Sequence, residues 1–451
     1  MTRPVAAIIL AAGKGTRMKS ELHKVLHPIA GRPMLAHLLA SVSELAPANT
    51  VVVVGDKAEQ VEPLVREYGG VVVVQDPQHG TGHAVQQAEA ALAGFDGDVL
   101  ILFGDVPFVR SETMRHMLER LAKADGAVVA AFRPDDPKQY GRILAEPGGR
   151  IVKMVEYKDA SAAERALDLC NSGLMAVRAA ELWPLLARVG NANAAGEYYL
   201  PDIVMIAAGD GWASVAVEVA AAEVEGINSR AELAAAELAW QERRRAEAME
   251  DGASLLAPET VWFSHDTKLG RDVLVEPNVF FGPGVSIGDD VRIRAFSHIE
   301  GATIATGAEI GPYARLRPGA EIGEGAKIGN FVEVKQTRLG KGAKANHLTY
   351  LGDAEVGVGA NIGAGTITCN YDGFFKYRTN IGEGAFIGSN SALVAPVSIG
   401  AGALVAAGSV ITRDVPADAV ALARGEQVEK AGRAAKFRAV MTARKKKKKQ
   451  S

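Results

Sequence analysis

Residues 269–299 read LGRDVLVEPNVFFGPGVSIGDDVRIRAFSHI, and one spacing runs through them: Leu269, Val275, Phe281, Ile287, Ile293 and Ile299 stand six apart. After a five-residue step the period resumes at Ile310, Leu316, Ile322, Ile328 and Val334, and it returns at Ile381, Ile387, Leu393, Ile399, Val405 and Ile411. Glycine often follows, as in Ile287-Gly288, Ile322-Gly323 and Ile399-Gly400. A six-residue apolar repeat predicts a parallel β-helix, each hexapeptide supplying one short face of a prism with its aliphatic residue inward. Small residues turn the corners, and glycine accepts backbone angles that others resist. Two stretches break the period, roughly 341–350 and 366–380. Loops ejected from a regular solenoid are often functional.

Upstream the pattern changes. Ser229 followed by Glu232 predicts a capping box, opening an Ala-, Glu- and Arg-rich helix that ends before Gly252. Such a helix is ~30 Å long, enough to hold two domains apart. Before it, short apolar runs at 5–10, 51–54, 71–74, 99–103 and 127–132 alternate with helix-compatible sequence such as 113–124. Continuous apolar runs suit strands covered on both faces, and this spacing suits crossover units with a mostly parallel sheet. The organisation expected is therefore three-part: residues 1–229, a linker helix over 230–251, and a β-helix with a basic tail over 252–451.

Composition agrees with a folded protein: 451 residues, 48% hydrophobic and 23% charged, with a formal net charge of -3. The balance hides an asymmetry. Residues 430–451 hold ten basic and no acidic side chains, leaving 40 basic against 53 acidic elsewhere. A terminal lysine run predicts a solvated, disordered tail, with nucleic acid or another polyanion as the lesser alternative. Two cysteines, Cys170 and Cys369, cannot build a disulfide framework and point to a reducing compartment. The longest apolar run, residues 5–13, is far below the ~18 residues a membrane span needs. It is followed directly by Lys14, Arg17 and Lys19 rather than by a cleavage site, and reads as a buried strand.

In a parallel α/β sheet ligands gather beyond the carboxyl ends of the strands. That singles out the turn after Leu10 and Asp105 after the run 99–103. The segment Leu10-Ala11-Ala12-Gly13-Lys14-Gly15-Thr16-Arg17-Met18 offers small residues, backbone N–H groups and cations to a phosphate-bearing ligand. It is neither a P-loop nor the dinucleotide fingerprint, which would need a third glycine at Met18.

With Lys24, this segment resembles the signature of sugar-phosphate nucleotidyltransferases. Adding Gln75, Gly80-Thr81-Gly82-His83, Phe103-Gly104-Asp105-Val106-Pro107, Tyr140-Gly141-Arg142, Glu156, Asn171 and Glu225-Gly226-Ile227-Asn228, the chain is similar to the bacterial bifunctional N-acetylglucosamine-1-phosphate uridyltransferase/glucosamine-1-phosphate acetyltransferases. The resemblance covers all but the lysine tail. It implies an α/β fold: a Rossmann-like nucleotidyltransferase domain, a linker helix and a left-handed parallel β-helix of hexapeptide repeats.

For the first domain the resemblance implies uridylyl transfer from UTP to N-acetylglucosamine 1-phosphate. Leu10, Ala11, Ala12 and Gly13 would line the nucleotide, with Gln75, Gly80 and Thr81 near the uracil and Phe103 and Gly104 beside the site. Arg17 and Lys24 would screen phosphates as catalytic cations, and Asp105 and Asn228 would hold Mg2+. Gly141, Glu156 and Asn171 would hold the amino sugar. Phe103 stands where the family often has tyrosine, so a contact through that hydroxyl is lost here.

For the second domain it implies acetyl transfer from acetyl-CoA to glucosamine 1-phosphate. His347 is the expected general base, since an imidazole can take a proton near neutrality. Arg317, Lys335 and Tyr350 would grip the phosphate, with Asn361 and Tyr371 near the sugar. Ala364, Asn370, Tyr371, Ser389, Ala407 and Arg424 would contact acetyl-CoA. Cys369 is a conceivable acyl acceptor, but the family transfers directly, which makes it a bystander.

The reading is thus a cytoplasmic, homotrimeric enzyme making UDP-N-acetylglucosamine for envelope precursors, with small-molecule substrates and no membrane or nucleic-acid partner. The alternative is a monofunctional nucleotidyltransferase whose β-helix only trimerises it.

Overall fold

The computed structural model describes residues 3–137 and 139–450. The chain divides into two compact units, 1–244 and 245–451.

In the first unit the five apolar runs are strands: β1 (Val5–Ala11), β2 (Asn49–Val54), β3 (Val71–Val74), β4 (Asp98–Phe103) and β5 (Val128–Phe132). Four more join them: β6 (Arg142–Ala145), β7 (Ile151–Val155), β8 (Cys170–Arg178) and β9 (Val215–Glu218). The main sheet has the order β9-β5-β8-β4-β1-β2-β3, with β6 and β7 paired off β8. All neighbours along it are parallel except β8, which runs antiparallel between β4 and β5. Alternate residues feed two cores. Ile8, Val53, Ile101 and Met175 point to one, and Ile9, Val52, Leu100 and Leu174 to the other. The expectation of cover on both faces fails at β3, where Val71 and Val74 are 51% and 53% exposed because the strand closes the edge of the sheet.

The helix runs Arg230–Glu250 and stops before Gly252, whose φ of +101° suits glycine. Its cap differs from a capping box. The Ser229 hydroxyl accepts from the Glu232 N–H at 3.2 Å, but the Glu232 carboxylate accepts from the Asn228 N–H at 2.6 Å, one residue too early.

In the second unit, short parallel strands stack into three faces. The buried position advances 18 residues per coil from Val275 to Ile293, then 17 from Ile293 to Ile310 and 18 from Ile310 to Ile328. Residues 341–350 do not leave the prism, contrary to expectation. The strand Lys344–Gly352 pairs in parallel along Lys327–Lys335, from Lys344 opposite Lys327 to Gly352 opposite Lys335. These two nine-residue strands bend round a corner at Phe331 and Leu348, whose φ values are +56° and +48°. The apparent break is a 17-residue coil in which Ala345 takes the aliphatic position. The second break is a true extrusion: Ile362 lies opposite Ile387, 25 residues on. Its outer part is a small hairpin closed by the Tyr371–Lys376 bridge.

The lysine-rich terminus is also not the disordered tail expected. Residues Arg433–Gln450 form an α-helix, consistent with alanine, lysine and arginine as strong helix formers and with cations collected at its carboxyl end.

Candidate active sites

In the first unit, β1, β2 and β4 all end at the same rim. The Gln75 N–H donates to the carbonyl of Val54 at 2.7 Å, and that of Gly104 to Leu10 at 2.9 Å. Leu10, Ala11 and Ala12 are buried, so beyond the core they can offer a ligand only backbone. Gly13 is exposed, with open space where a Cβ would stand. Gly15, at φ +57°, serves packing instead, since a Cβ there would lie 2.8 Å from that of Lys24. This glycine lets Lys24 pass beneath the turn.

Lys24 then reaches the centre of the site. Its ammonium pairs with the Asp105 carboxylate and donates to Oδ1 of Asn228 at 3.2 Å. The three residues come from sequence positions far apart and are mostly withdrawn from solvent. Asp105 and Asn228 line a cleft of about 680 Å³ together with Arg17, Phe103, Tyr140 and Glu225. Among the described residues, no group of three or more His, Cys, Asp or Glu could hold a metal. Asp105 and Asn228 do present one carboxylate and one amide oxygen to a single cation.

The two flanks are organised differently. On one side Gln75 is buried and donates to the carbonyl of Gly80 at 2.9 Å, while the Thr81 hydroxyl accepts from the Leu200 N–H at 3.0 Å. Gly80 has φ +106° and would meet the Tyr198 carbonyl at 2.7 Å if it carried a Cβ. On the other side Gly141, Glu156 and Asn171 converge. The Asn171 N–H donates to Gly141 O at 2.9 Å, and a Cβ on Gly141 would be 3.3 Å from Oε1 of Glu156. Burial, then the nearby carboxylates of Asp202 and Asp159, push Glu156 above the ordinary glutamate range.

In the second unit the bent strand Lys344–Gly352 carries candidate groups at its corner and toward its carboxyl end. At its corner, Nδ1 of His347 is 2.7 Å from Oδ1 of Asn330, the residue opposite it on the preceding coil. That oxygen can only accept, so in the neutral ring the proton stays on Nδ1 and Nε2 keeps its lone pair. Three residues on, past the bend at Leu348, stands Tyr350. Lys335, Arg317 and Tyr350 form one electrostatic cluster. Arg317 donates to Glu333 at 2.8 Å. Asn370 is buried, paired to Asp353 at 2.5 Å and to the Tyr350 hydroxyl at 3.4 Å.

Lys376 belongs to this cluster and was not foreseen. It lies against Lys335, and its ammonium, more than burial or Arg317, holds Lys335 below the ordinary lysine range. Three cations gathered on one surface form a site for a doubly charged anion. The available signal was a lysine inside the extruded loop.

Ala364, Ser389 and Ala407 follow His347 along one edge of the prism. Backbone bonds from Gly365 to Leu348, Asn390 to Ala364 and Gly408 to Ser389 link the successive corners. Arg424 reaches the end of this column, donating to the Ala407 carbonyl at 2.7 Å. Asn361 is not with them; it pairs with Lys344 and Phe386 on the adjoining face. Tyr371 is exposed in the hairpin, its hydroxyl donating to the Gly373 carbonyl at 2.6 Å. Cys369 is half-buried in the strand that leads into this hairpin.

A nucleotidyltransferase-type α/β unit followed by a hexapeptide solenoid defines the class. The MobA-like NTP transferase domain family matches residues 7–194, and the bacterial transferase hexapeptide (six repeats) family matches 266–301, 301–336 and 378–413. Whole-chain relatives narrow it further. The Bifunctional protein GlmU of Rhizorhabdus wittichii is 70% identical over 98% of both chains. That of Sphingopyxis alaskensis is 68% identical over 99% of each, and that of Zymomonas mobilis 61% identical over 97% of this chain and 98% of its own. The chain belongs to the bifunctional GlmU family.

Proposed function

We propose that the protein carries out two successive transfers: acetyl-CoA to the amine of glucosamine 1-phosphate, then a uridylyl group from UTP to the resulting N-acetylglucosamine 1-phosphate. The single observation that carries this reading is the presence of two separately built ionic sites. Lys24, Asp105 and Asn228 meet in one unit, and Arg317, Lys335 and Lys376 gather in the other, where the strand of His347 pairs with that of Lys335.

At the first site a phosphate oxygen of the sugar attacks the α-phosphorus of UTP, and the bond to pyrophosphate breaks. Arg17 in the cleft and Lys24 beside Asp105 and Asn228 face the accumulating negative charge, and buried Asn171 and half-buried Glu156 fix the sugar. The oxygens of Asp105 and Asn228 fit Mg2+, which takes one or two protein ligands and supplies charge neutralisation when bound.

At the second site the substrate amine attacks the thioester carbonyl, Nε2 of His347 takes the amine's proton and the CoA thiolate leaves. The phosphate is anchored at the far end of the strand by Lys335, Arg317, Lys376 and Tyr350, so the amine falls toward the corner. Acetyl-CoA runs along the edge of Ala364, Ser389 and Ala407 toward Arg424.

The assembly in this reading is a homotrimer. Its support is an apolar edge, where Phe296, Tyr313 and Phe331 stack at 4.9 and 5.2 Å and continue to Leu348, each about half exposed or more. Separation in sequence does not by itself demand a shared site, because one prism edge already aligns His347 with the acetyl-CoA residues. Cytoplasmic residence is supported by two free cysteines, and no helix among the described residues is long and apolar enough to cross a membrane.

The test is a set of incubations with glucosamine 1-phosphate, acetyl-CoA, UTP and Mg2+, each omitted in turn. Pyrophosphate release should require all four. Release that persists without acetyl-CoA on unacetylated substrate would overturn the order, and full acetyltransferase activity in a monomer by light scattering would overturn the trimer.

A further inference from the structure

Neither site uses the C-terminal helix Arg433–Gln450, and every side chain described from 433 to 449 is exposed. Its two parts differ. In the first turns Phe437, Val440 and Met441 lie three and four residues apart, and therefore on one face, with exposures of 65%, 52% and 45%. Lys436 and Arg438 flank this apolar patch. From Arg444 to Lys449 the helix becomes cationic all round, with six consecutive basic residues. No acidic residue interrupts the segment 430–449.

We propose that this helix docks the protein on an anionic bilayer surface. Phe437, Val440 and Met441 enter the boundary between headgroups and acyl chains, and the run 444–449 lies on the acidic headgroups. This goes beyond the expectation that no membrane partner exists, but it is peripheral attachment, not spanning. The chemistry selects the partner. Like charges so dense attract a polyanion, and both a nucleic acid and an acidic membrane would serve. A phenylalanine, a valine and a methionine side by side on a solvated helix find no slot along a phosphate backbone. An interface offers them acyl chains, while arginine and lysine stems snorkel outward. One weak apolar anchor plus a polybasic run is the pairing that makes interfacial attachment stable. The same patch could instead cover a second copy of the chain, and the experiment separates that case.

The full-length protein is sedimented with phosphatidylcholine vesicles, with and without phosphatidylglycerol. Binding is expected only to the acidic vesicles. It should weaken on the order of tenfold for Phe437→Ser with Met441→Ser, and more for glutamine at 445–449. Raising the salt about tenfold, which shortens the screening length about threefold, should release it. Equal binding to neutral vesicles, or none to acidic ones, overturns the proposal. So does a serine variant that binds acidic vesicles like the parent while duplex DNA competes, which would assign the helix to nucleic acid. A serine variant that loses its oligomeric state in light scattering, with a parent that ignores vesicles, would assign it to a second copy.

Discussion

A Cβ on Gly352 would stand 2.3 Å from the hydroxyl of Tyr350, two residues back on the same strand. Tyr350 folds over its own backbone, and only hydrogen at position 352 allows it. Gly352→Ala should swing the phenol outward and raise KM for glucosamine 1-phosphate on the order of tenfold, the scale of one hydrogen bond to a charged group. The same Cβ would meet Nδ2 of Asn370 at 2.6 Å, a buried side chain held by Asp353, so the thermal midpoint should fall as well. An unchanged KM would remove Tyr350 from the phosphate grip.

Asp105→Ala should abolish uridylyl transfer and leave acetyl transfer nearly intact, because charge neutralisation is lost at one site only. Equal loss of both activities in a folded variant would contradict two independent sites.

For His347→Ala, acetyl transfer should fall about 10²- to 10⁴-fold, the range for a lost general base. Asn330→Ala should cost less and act on kcat, since it frees the ring to adopt the wrong tautomer without touching the phosphate anchor. Parental rates across the neutral range in the His347 variant would exclude it as the base.

The adjacent ammonium of Lys376 lowers the value for Lys335. Lys335 therefore loses its proton earlier as pH rises, and the alkaline limb of kcat/KM for acetyl transfer should lie below the ordinary lysine range. Lys376→Gln should move that limb upward in pH and lower its plateau about tenfold. A limb that stays in place would mean that another group titrates there.

Glu156 carries the opposite sign. Its value is raised in the fold, so the folded state holds the proton more tightly than the unfolded one. Its stabilising contribution is full below the unfolded value and is lost as pH rises through the folded one. Glu156→Gln keeps the neutral state throughout. It should melt at a higher temperature than the parent at pH 8. The difference should close below about pH 4, the ordinary glutamate range. Identical melting at pH 8 would show that the buried carboxylate carries no cost.

Where the sequence pattern carried one dominant force, it was readable. Five apolar runs are five strands of the first sheet, and the six-residue spacing is the solenoid. What escaped lacked such a pattern. The central strand β8 is hidden because Asn171, Ser172 and Gly173 interrupt it where its register shifts against β5. The coil around Ala345 looked like a loop because a corner dropped one residue and a small side chain took the inward place. The pairing of Asn330 with His347 depends on a 17-residue offset that only the stacked coils reveal. Lys24, Asp105 and Asn228 could be singled out by resemblance, but their convergence on one ammonium is a property of the folded chain.

The extruded segment after Cys369 leaves the thread of the solenoid intact. Ala354, Glu355 and Val356 lie opposite Thr379, Asn380 and Ile381 as if nothing had been inserted, and the Thr379 N–H closes the base on the Asp353 carbonyl at 3.2 Å. The hairpin is thus a cassette clipped between two rungs. Its tip, the bare rings of Phe374 and Phe375 between Tyr371 and Lys376, can be rewritten without re-indexing any coil beyond it. A lineage could exchange what this tip presents while inheriting the scaffold and the two flanking site residues unchanged, and a protein engineer could graft foreign sequence there on the same terms.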